Sequence, residues 1–163
     1  MDRAGANPSY WMDGPMQPTY PDLSVSDSKA QDRNEDTYAQ VVIVGGGITG
    51  LTAAMRLCAA GRSVILIEMN WVGSGTTGAS TGHLDSHTDQ TLKGLIRILG
   101  QDDARVALHA KRAAIDQIEQ WDRELHLECG FRRVPGYLYC EDEHQVELLK
   151  EEYAHARGLG MPV

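Results

Sequence analysis

The stretch Val41-Val42-Ile43-Val44-Gly45-Gly46-Gly47-Ile48-Thr49-Gly50, with Val64-Ile65-Leu66-Ile67-Glu68 one helix length later, decides the fold. Val41 to Val44 is a short unbroken apolar run, the pattern of a parallel strand covered on both faces. After the glycines, Leu51, Ala54, Met55 and Cys58 recur at i, i+3, i+4, i+7 and give a helix one apolar face. Gly61 is placed to end that helix in a left-handed cap. Val64 to Ile67 repeats the first run and predicts a second buried strand. Strand, helix and parallel strand in so short a span make one right-handed βαβ crossover.

Each residue type in this unit has a physical job. Gly45 lets the chain turn sharply out of the strand, Gly47 keeps a side chain away from an approaching pyrophosphate, and Gly50 lets helix and sheet pack closely. Gly46, Ile48 and Thr49 fill the rest of the turn and the start of the helix. There, unpaired N–H groups and the positive end of the helix dipole favour phosphate. Glu68 stands at the end of the second strand, at the spacing where a carboxylate accepts the ribose hydroxyls of a dinucleotide. The same charge repels a 2′-phosphate. A tight βα turn in an unrelated α/β domain explains one or two of the glycines but not Glu68. Spacing alone does not separate FAD from NAD.

Composition narrows the partners. The chain has 163 residues, enough for one domain with a core, and a single Phe makes that core aliphatic. A formal charge of −8, with scattered basic residues, argues against nucleic acid or an anionic membrane as partner. No apolar stretch approaches the length of a membrane span, and no secretory signal is visible. Cys58, Cys129 and Cys140 lack close spacing, so reduced thiols in a cytoplasmic protein are expected, with no metal. Cys58 is expected on the apolar side of its helix.

Outward from the central unit the pattern weakens. Residues 1–37 are polar with a few anchors, Tyr10, Trp11, Tyr20 and Leu23, and read as a disordered leader or an extended strap. Residues 71–82 are rich in Gly, Ser and Thr and read as a flexible loop. Helices are predicted over about 89–99 and 102–127, the latter with Leu108, Ile115, Ile118, Trp121 and Leu125 along one side, interrupted by Lys111. Residues 131–134 and 137–140 alternate about Pro135-Gly136 and predict a β-hairpin. A last helix over about 141–157 groups Val146, Leu149 and Tyr153 before Gly158. Glu141, Asp142 and Glu143 read as its solvated start. The fold expected is therefore α/β, the N-terminal part of a Rossmann-like domain with following helices and a hairpin, its sheet incomplete.

The glycine stretch, the second strand with Glu68, and the segment Gly73-Ser-Gly-Thr-Thr-Gly-Ala-Ser-Thr-Gly-His83 together resemble the D-amino-acid-oxidase-like FAD-dependent oxidoreductases. This superfamily includes glycine, sarcosine and γ-glutamylputrescine oxidases. The likeness is strongest to a bacterial branch whose members often carry a C-terminal Rieske domain. Ser9-Tyr10-Trp11-Met12-Asp13 and Gly136-Tyr137-Leu138-Tyr139 look like that branch too. The resemblance implies FAD rather than NAD, and a small-molecule amine or amino acid as substrate of the full-length protein. It implies that Ser74, Gly75 and Thr76 lie near the phosphates and that Ser80, Thr81, Gly82, His83 and Leu84 approach the flavin ring. The histidine that carries covalent flavin in some relatives corresponds to Ala79, so a non-covalent cofactor is implied.

No acid–base residue is assigned, because flavin amine oxidation can proceed as hydride transfer in an environment the protein orients. His83-x-Asp85-x-His87 has no further ligand in sequence reach, and no Rieske spacing occurs. The domain is read as residues 38–163, truncated relative to the family. The expectation is weak FAD binding and no turnover by this chain alone. The alternative is a non-catalytic βαβ module that binds a nucleotide or a protein.

Overall fold

The computed structural model describes residues 38–163, so the N-terminal arm expected over 1–37 lies outside the described residues. Two compact units are present, one ending at Gly82 and the other covering His83–Val163. The mixed α/β character expected from the sequence is found.

The first unit holds strand β1 (Val41–Val44), helix α1 (Ile48–Ala59) and strand β2 (Val64–Ile67). The strands pair in parallel, Val41 opposite Val64 through Val44 opposite Ile67. Gly45 prolongs the ladder by donating its N–H to the Ile67 carbonyl at 2.7 Å. Helix α1 ends as the sequence predicts. Gly61 takes φ +75°, its N–H meets the Cys58 carbonyl, and the Arg62 N–H reaches back to the Leu57 carbonyl. Those two bonds are the Schellman pattern, which needs a residue tolerant of the left-handed region.

Two expectations for this unit fail. Strands covered on both faces were predicted, yet Val42 and Val44 are 55% and 83% exposed, and Ile67 is 38% exposed. Because paired residues of a parallel ladder share a face, Val42, Val44, Ile65 and Ile67 form one side of the sheet. Ile43, half-buried, lies on the other side, towards Gly50 of α1. One helix can cover only one face. Cys58 is exposed rather than packed.

The second unit is helical: α2 (Leu92–Leu99), α3 (Gln101–Leu125), a 3₁₀ turn (Glu143–Gln145) and α4 (Val146–Gly158). Its core is Leu92, Ala104, Leu108, Ala156 and Leu159, with Leu95, Ile96 and Met161 packed against it. The expected apolar stripe of α3 is buried at Leu108 and half-buried at Ile115, Ile118 and Trp121, but Leu125 is exposed. On α4 the core contact falls to Ala156 and the following Leu159, while Tyr153 is half exposed. Gly158 ends α4 without capping it. The left-handed residue is Gly160, after which the Met161 N–H returns to the Ala156 carbonyl and the Met161 side chain joins the core.

Helix α2 is capped twice. Thr91 Oγ1 accepts the Gly94 N–H at 3.1 Å, and the Glu152 carboxylate accepts the N–H groups of Leu92 at 2.8 Å and Lys93 at 3.4 Å. A charged acceptor on otherwise unpaired helix donors is worth more than an exposed ion pair. Replacing Glu152 by Ala is therefore expected to lower the unfolding free energy of the helical unit by about 1–2 kcal/mol. Glu151→Ala, which breaks only the exposed Lys93–Glu151 pair, is expected to leave it unchanged. Urea titrations followed by far-ultraviolet circular dichroism compare the two.

The predicted hairpin is not formed, since residues 131–140 contain no strand. Two strands alone are only marginally stable in water, and among the described residues none pairs with them. Side chains fix the start of the segment instead. Arg133 reaches Asp116 at 2.5 Å and Glu119 at 2.8 Å on α3, with its guanidinium 6.0 Å from the Phe131 ring centre. Tyr137, Leu138 and Tyr139 are left 83%, 59% and 72% exposed. Among the described residues no helix is long and apolar enough to cross a membrane.

Candidate functional site

The site forms where β1 runs into α1. Gly45 leaves the strand at φ +107°, a conformation that β-carbons disfavour, and Gly47 is the N-cap of α1. Gly50 lies against this bend: a β-carbon there would stand 1.9 Å from the Gly45 carbonyl oxygen. The helix can begin this close to the strand only because Gly50 has no side chain. Gly46 is buried in the turn, whereas Ile48 and Thr49 are exposed at the first helical positions.

Glu68 follows β2, beside the turn because the strands are neighbours. Its Oε2 accepts the Gly46 N–H at 2.6 Å and its Oε1 accepts the Asn70 N–H at 3.0 Å. Gly46 leaves room for this, since a β-carbon would come within 3.2–3.3 Å of the Glu68 side chain and that side chain would have to give way slightly. The Asn70 N–H above all, then that of Gly46, holds the Glu68 carboxyl below the ordinary glutamate value of 4.5, with Met69 and the Ser74 side chain adding to the effect. The folded-state value being depressed, the ionised group stabilises the turn above that value. The contribution is lost as pH falls beneath it. Protection of the Gly46 and Asn70 amides, taken relative to the intrinsic exchange rate at each pH, is therefore expected to fall as pH drops through the depressed Glu68 value and to lose that dependence in Glu68→Gln.

Residues 71–82, which composition alone reads as a flexible loop, form consecutive turns tied to the glycine bend at two points. The Gly73 N–H donates to the Gly46 carbonyl at 2.8 Å, and Thr77 Oγ1 accepts the Ile48 N–H at 3.0 Å. Ser74 and Gly75 are half-buried in this turn and Thr76 is exposed. Neither Gly73 nor Thr77 stands out in the sequence as a site residue. Thr77 is one of many hydroxyl residues in the segment, and only the fold shows which one meets the helix.

Ser80, Thr81, Gly82, His83 and Leu84 are all exposed and flank the division between the two units. Ser80 Oγ accepts the Gly82 N–H at 3.3 Å. In the His83-x-Asp85-x-His87 string, Asp85 Oδ1 accepts the His87 N–H at 2.7 Å. Among the described residues no three His, Cys, Asp or Glu side chains converge as a metal requires.

The arrangement fits the adenosine-diphosphate end of a dinucleotide. Among the described residues no acceptor meets the N–H groups of Gly47, Thr49 and Gly50. They lie at the start of a helix whose dipole favours an anion. Glu68 accepts the Gly46 and Asn70 N–H groups at hydrogen-bond distance, with the Met69 N–H and the Ser74 side chain also directed at it. As a half-exposed carboxylate it is an acceptor that hydroxyl groups could still reach.

Comparison with known proteins identifies the family. The family described as DAO, FAD dependent oxidoreductase, matches residues 40–163. A Rieske 2Fe-2S iron–sulfur protein of Bacillus subtilis (strain 168), YhfW, is 33% identical over 94% of this chain and 28% of its own length. Gamma-glutamylputrescine oxidoreductase of Escherichia coli (strain K12) is 28% identical over 73% of this chain and 28% of its own. Alpha-glycerophosphate oxidase of Enterococcus casseliflavus is 36% identical over 54% of this chain and 13% of its own. The chain thus spans under a third of the length of these relatives. No solved structure gives a significant match. With a family match that runs from the first strand to the last residue, this chain belongs to the DAO family of FAD-dependent oxidoreductases.

Proposed function

We propose that this chain supplies the ADP-binding, Rossmann-type βαβ part of a cytoplasmic FAD-dependent oxidoreductase acting on a small amine or amino acid. Residues 38–163 are its cofactor-binding part, and the chain spans under a third of the length of the relatives it matches. The observation that carries the reading is the Glu68 carboxylate seated 2.6 Å from the Gly46 N–H, inside the bend that Gly50 makes possible. In this reading Gly45, Gly46, Gly47, Ile48, Thr49 and Gly50 surround the diphosphate, and Glu68 takes the ribose. Ser74, Gly75 and Thr76 flank the diphosphate, and Ser80 to Leu84 lead towards the flavin. Bound FAD supplies the acceptor for a hydride from the substrate carbon, and the chain's own task is to hold and orient it.

The exposed face of Val42, Val44 and Ile67 supports a second element of the proposal. A two-stranded sheet with one bare apolar face is a weakly stabilised platform. The 163-residue chain alone is therefore expected to bind FAD loosely, to lose it on desalting, and to show no amine-oxidase turnover. Titration with FAD and with NAD, followed by desalting and a visible spectrum, tests both elements. Saturable binding that favours FAD and does not survive desalting agrees with the proposal. A preference for NAD, or a stoichiometric flavin retained after desalting, contradicts it.

A further inference from the structure

The glycines at 46 and 47 have a second use besides leaving room for a ligand. A β-carbon on Gly47 would stand 3.2 Å from Thr77 Oγ1, tighter than ordinary packing, just as one on Gly46 would crowd Glu68. Both glycines therefore make room for the chain's own side chains. Thr77 Oγ1 in turn accepts the Ile48 N–H, the first donor inside α1, at 3.0 Å. The N-cap of α1 is Gly47, which offers no side-chain acceptor, so Thr77 performs that function from 29 residues away. A second tie, Gly73 N–H to the Gly46 carbonyl at 2.8 Å, holds the same loop to the same bend.

We propose that Thr77 is a positioning residue of the dinucleotide cradle: as a long-range cap on α1 it fixes residues 73–79 against the glycine bend before any cofactor arrives. This inference rests on the dinucleotide reading of the site. Its logic is that of preorganisation. A loop already ordered loses less conformational freedom when the diphosphate binds, and the remaining donors at Gly47 and Thr49 stay aimed together. A hydroxyl is needed at residue 77 and a methyl group is not, so Ser serves and Val does not.

The test uses the full 163-residue chain, with ADP as the probe, and compares wild type with Thr77→Val and Thr77→Ser. Two quantities are read: the exchange rate of the Ile48 amide without ligand, and the ADP dissociation constant by calorimetry. In Thr77→Val the Ile48 amide is expected to exchange about tenfold faster and ADP to bind about 5- to 10-fold more weakly. Thr77→Ser is expected to restore both. Faster exchange with unchanged ADP affinity overturns the proposal, because the cap then positions nothing. Weaker ADP binding with unchanged exchange also overturns it, because Thr77 then acts by touching the ligand. If wild type binds no ADP at all, the dinucleotide reading itself fails, and the inference falls with it.

Discussion

Gly50→Ala is expected to abolish the native βαβ unit. The added methyl group would sit 1.9 Å from the Gly45 carbonyl oxygen, well inside van der Waals contact, and the nearby Gly45 carbonyl carbon and Ile43 side chain close off other directions. A backbone oxygen cannot swing aside as a side chain can. Relief requires moving α1 away from β1, which breaks the turn carrying Gly46 and Gly47. The expected cost is about 3 kcal/mol or more, a large share of a small domain's stability. Gly61→Ala is the matched control. Its site is open but left-handed at φ +75°, so only the backbone penalty of about 1–2 kcal/mol applies. In urea titrations with a probe in the first unit, Gly61→Ala should shift the transition moderately. Gly50→Ala should leave that unit without one, while the helical unit still unfolds cooperatively.

The second large effect concerns Glu68. Replacing it by Ala removes the acceptor for two backbone N–H groups at once and any contact with a ribose. Leaving Gly46, which is buried, without an acceptor costs more than the lost bond alone. ADP affinity is expected to fall about 10- to 100-fold. Glu68→Gln separates shape from charge, since it retains one acceptor oxygen. The gap between ADP and an ADP carrying a 2′-phosphate should narrow in Glu68→Gln, because the repelling charge has gone. Calorimetry with the two nucleotides reads the change. An unaltered gap would mean that Glu68 does not face the ribose.

The central unit was legible because every level of its sequence agrees. Aliphatic runs, helix periodicity, the Gly61 cap and an acid at the end of the second run all specify one βαβ arrangement, and β1, α1 and β2 fall there. The helices of the second unit were legible from periodicity, to within a few residues at their ends. What escaped depends on partners distant in sequence. Val42 and Val44 read as buried because their hydrophobicity says nothing about how many layers cover them. The 131–140 segment alternates like a hairpin, but Arg133 finds two carboxylates on α3, and among the described residues no strand pairs with the segment. Thr77 is the clearest case. Nothing local separates it from Thr76, yet one is exposed and the other caps a helix.

The proposed substrate class rests on the family reading, whereas the cradle can be tested on this chain directly. The measurement that does so is an amide chemical-shift map of the 163-residue chain titrated with ADP. The account predicts saturable shifts at Gly46, Gly47, Thr49 and Asn70, with little change along α3 and α4. Saturation with ADP that leaves those four amides unmoved, or that moves residues of the helical unit instead, would contradict it.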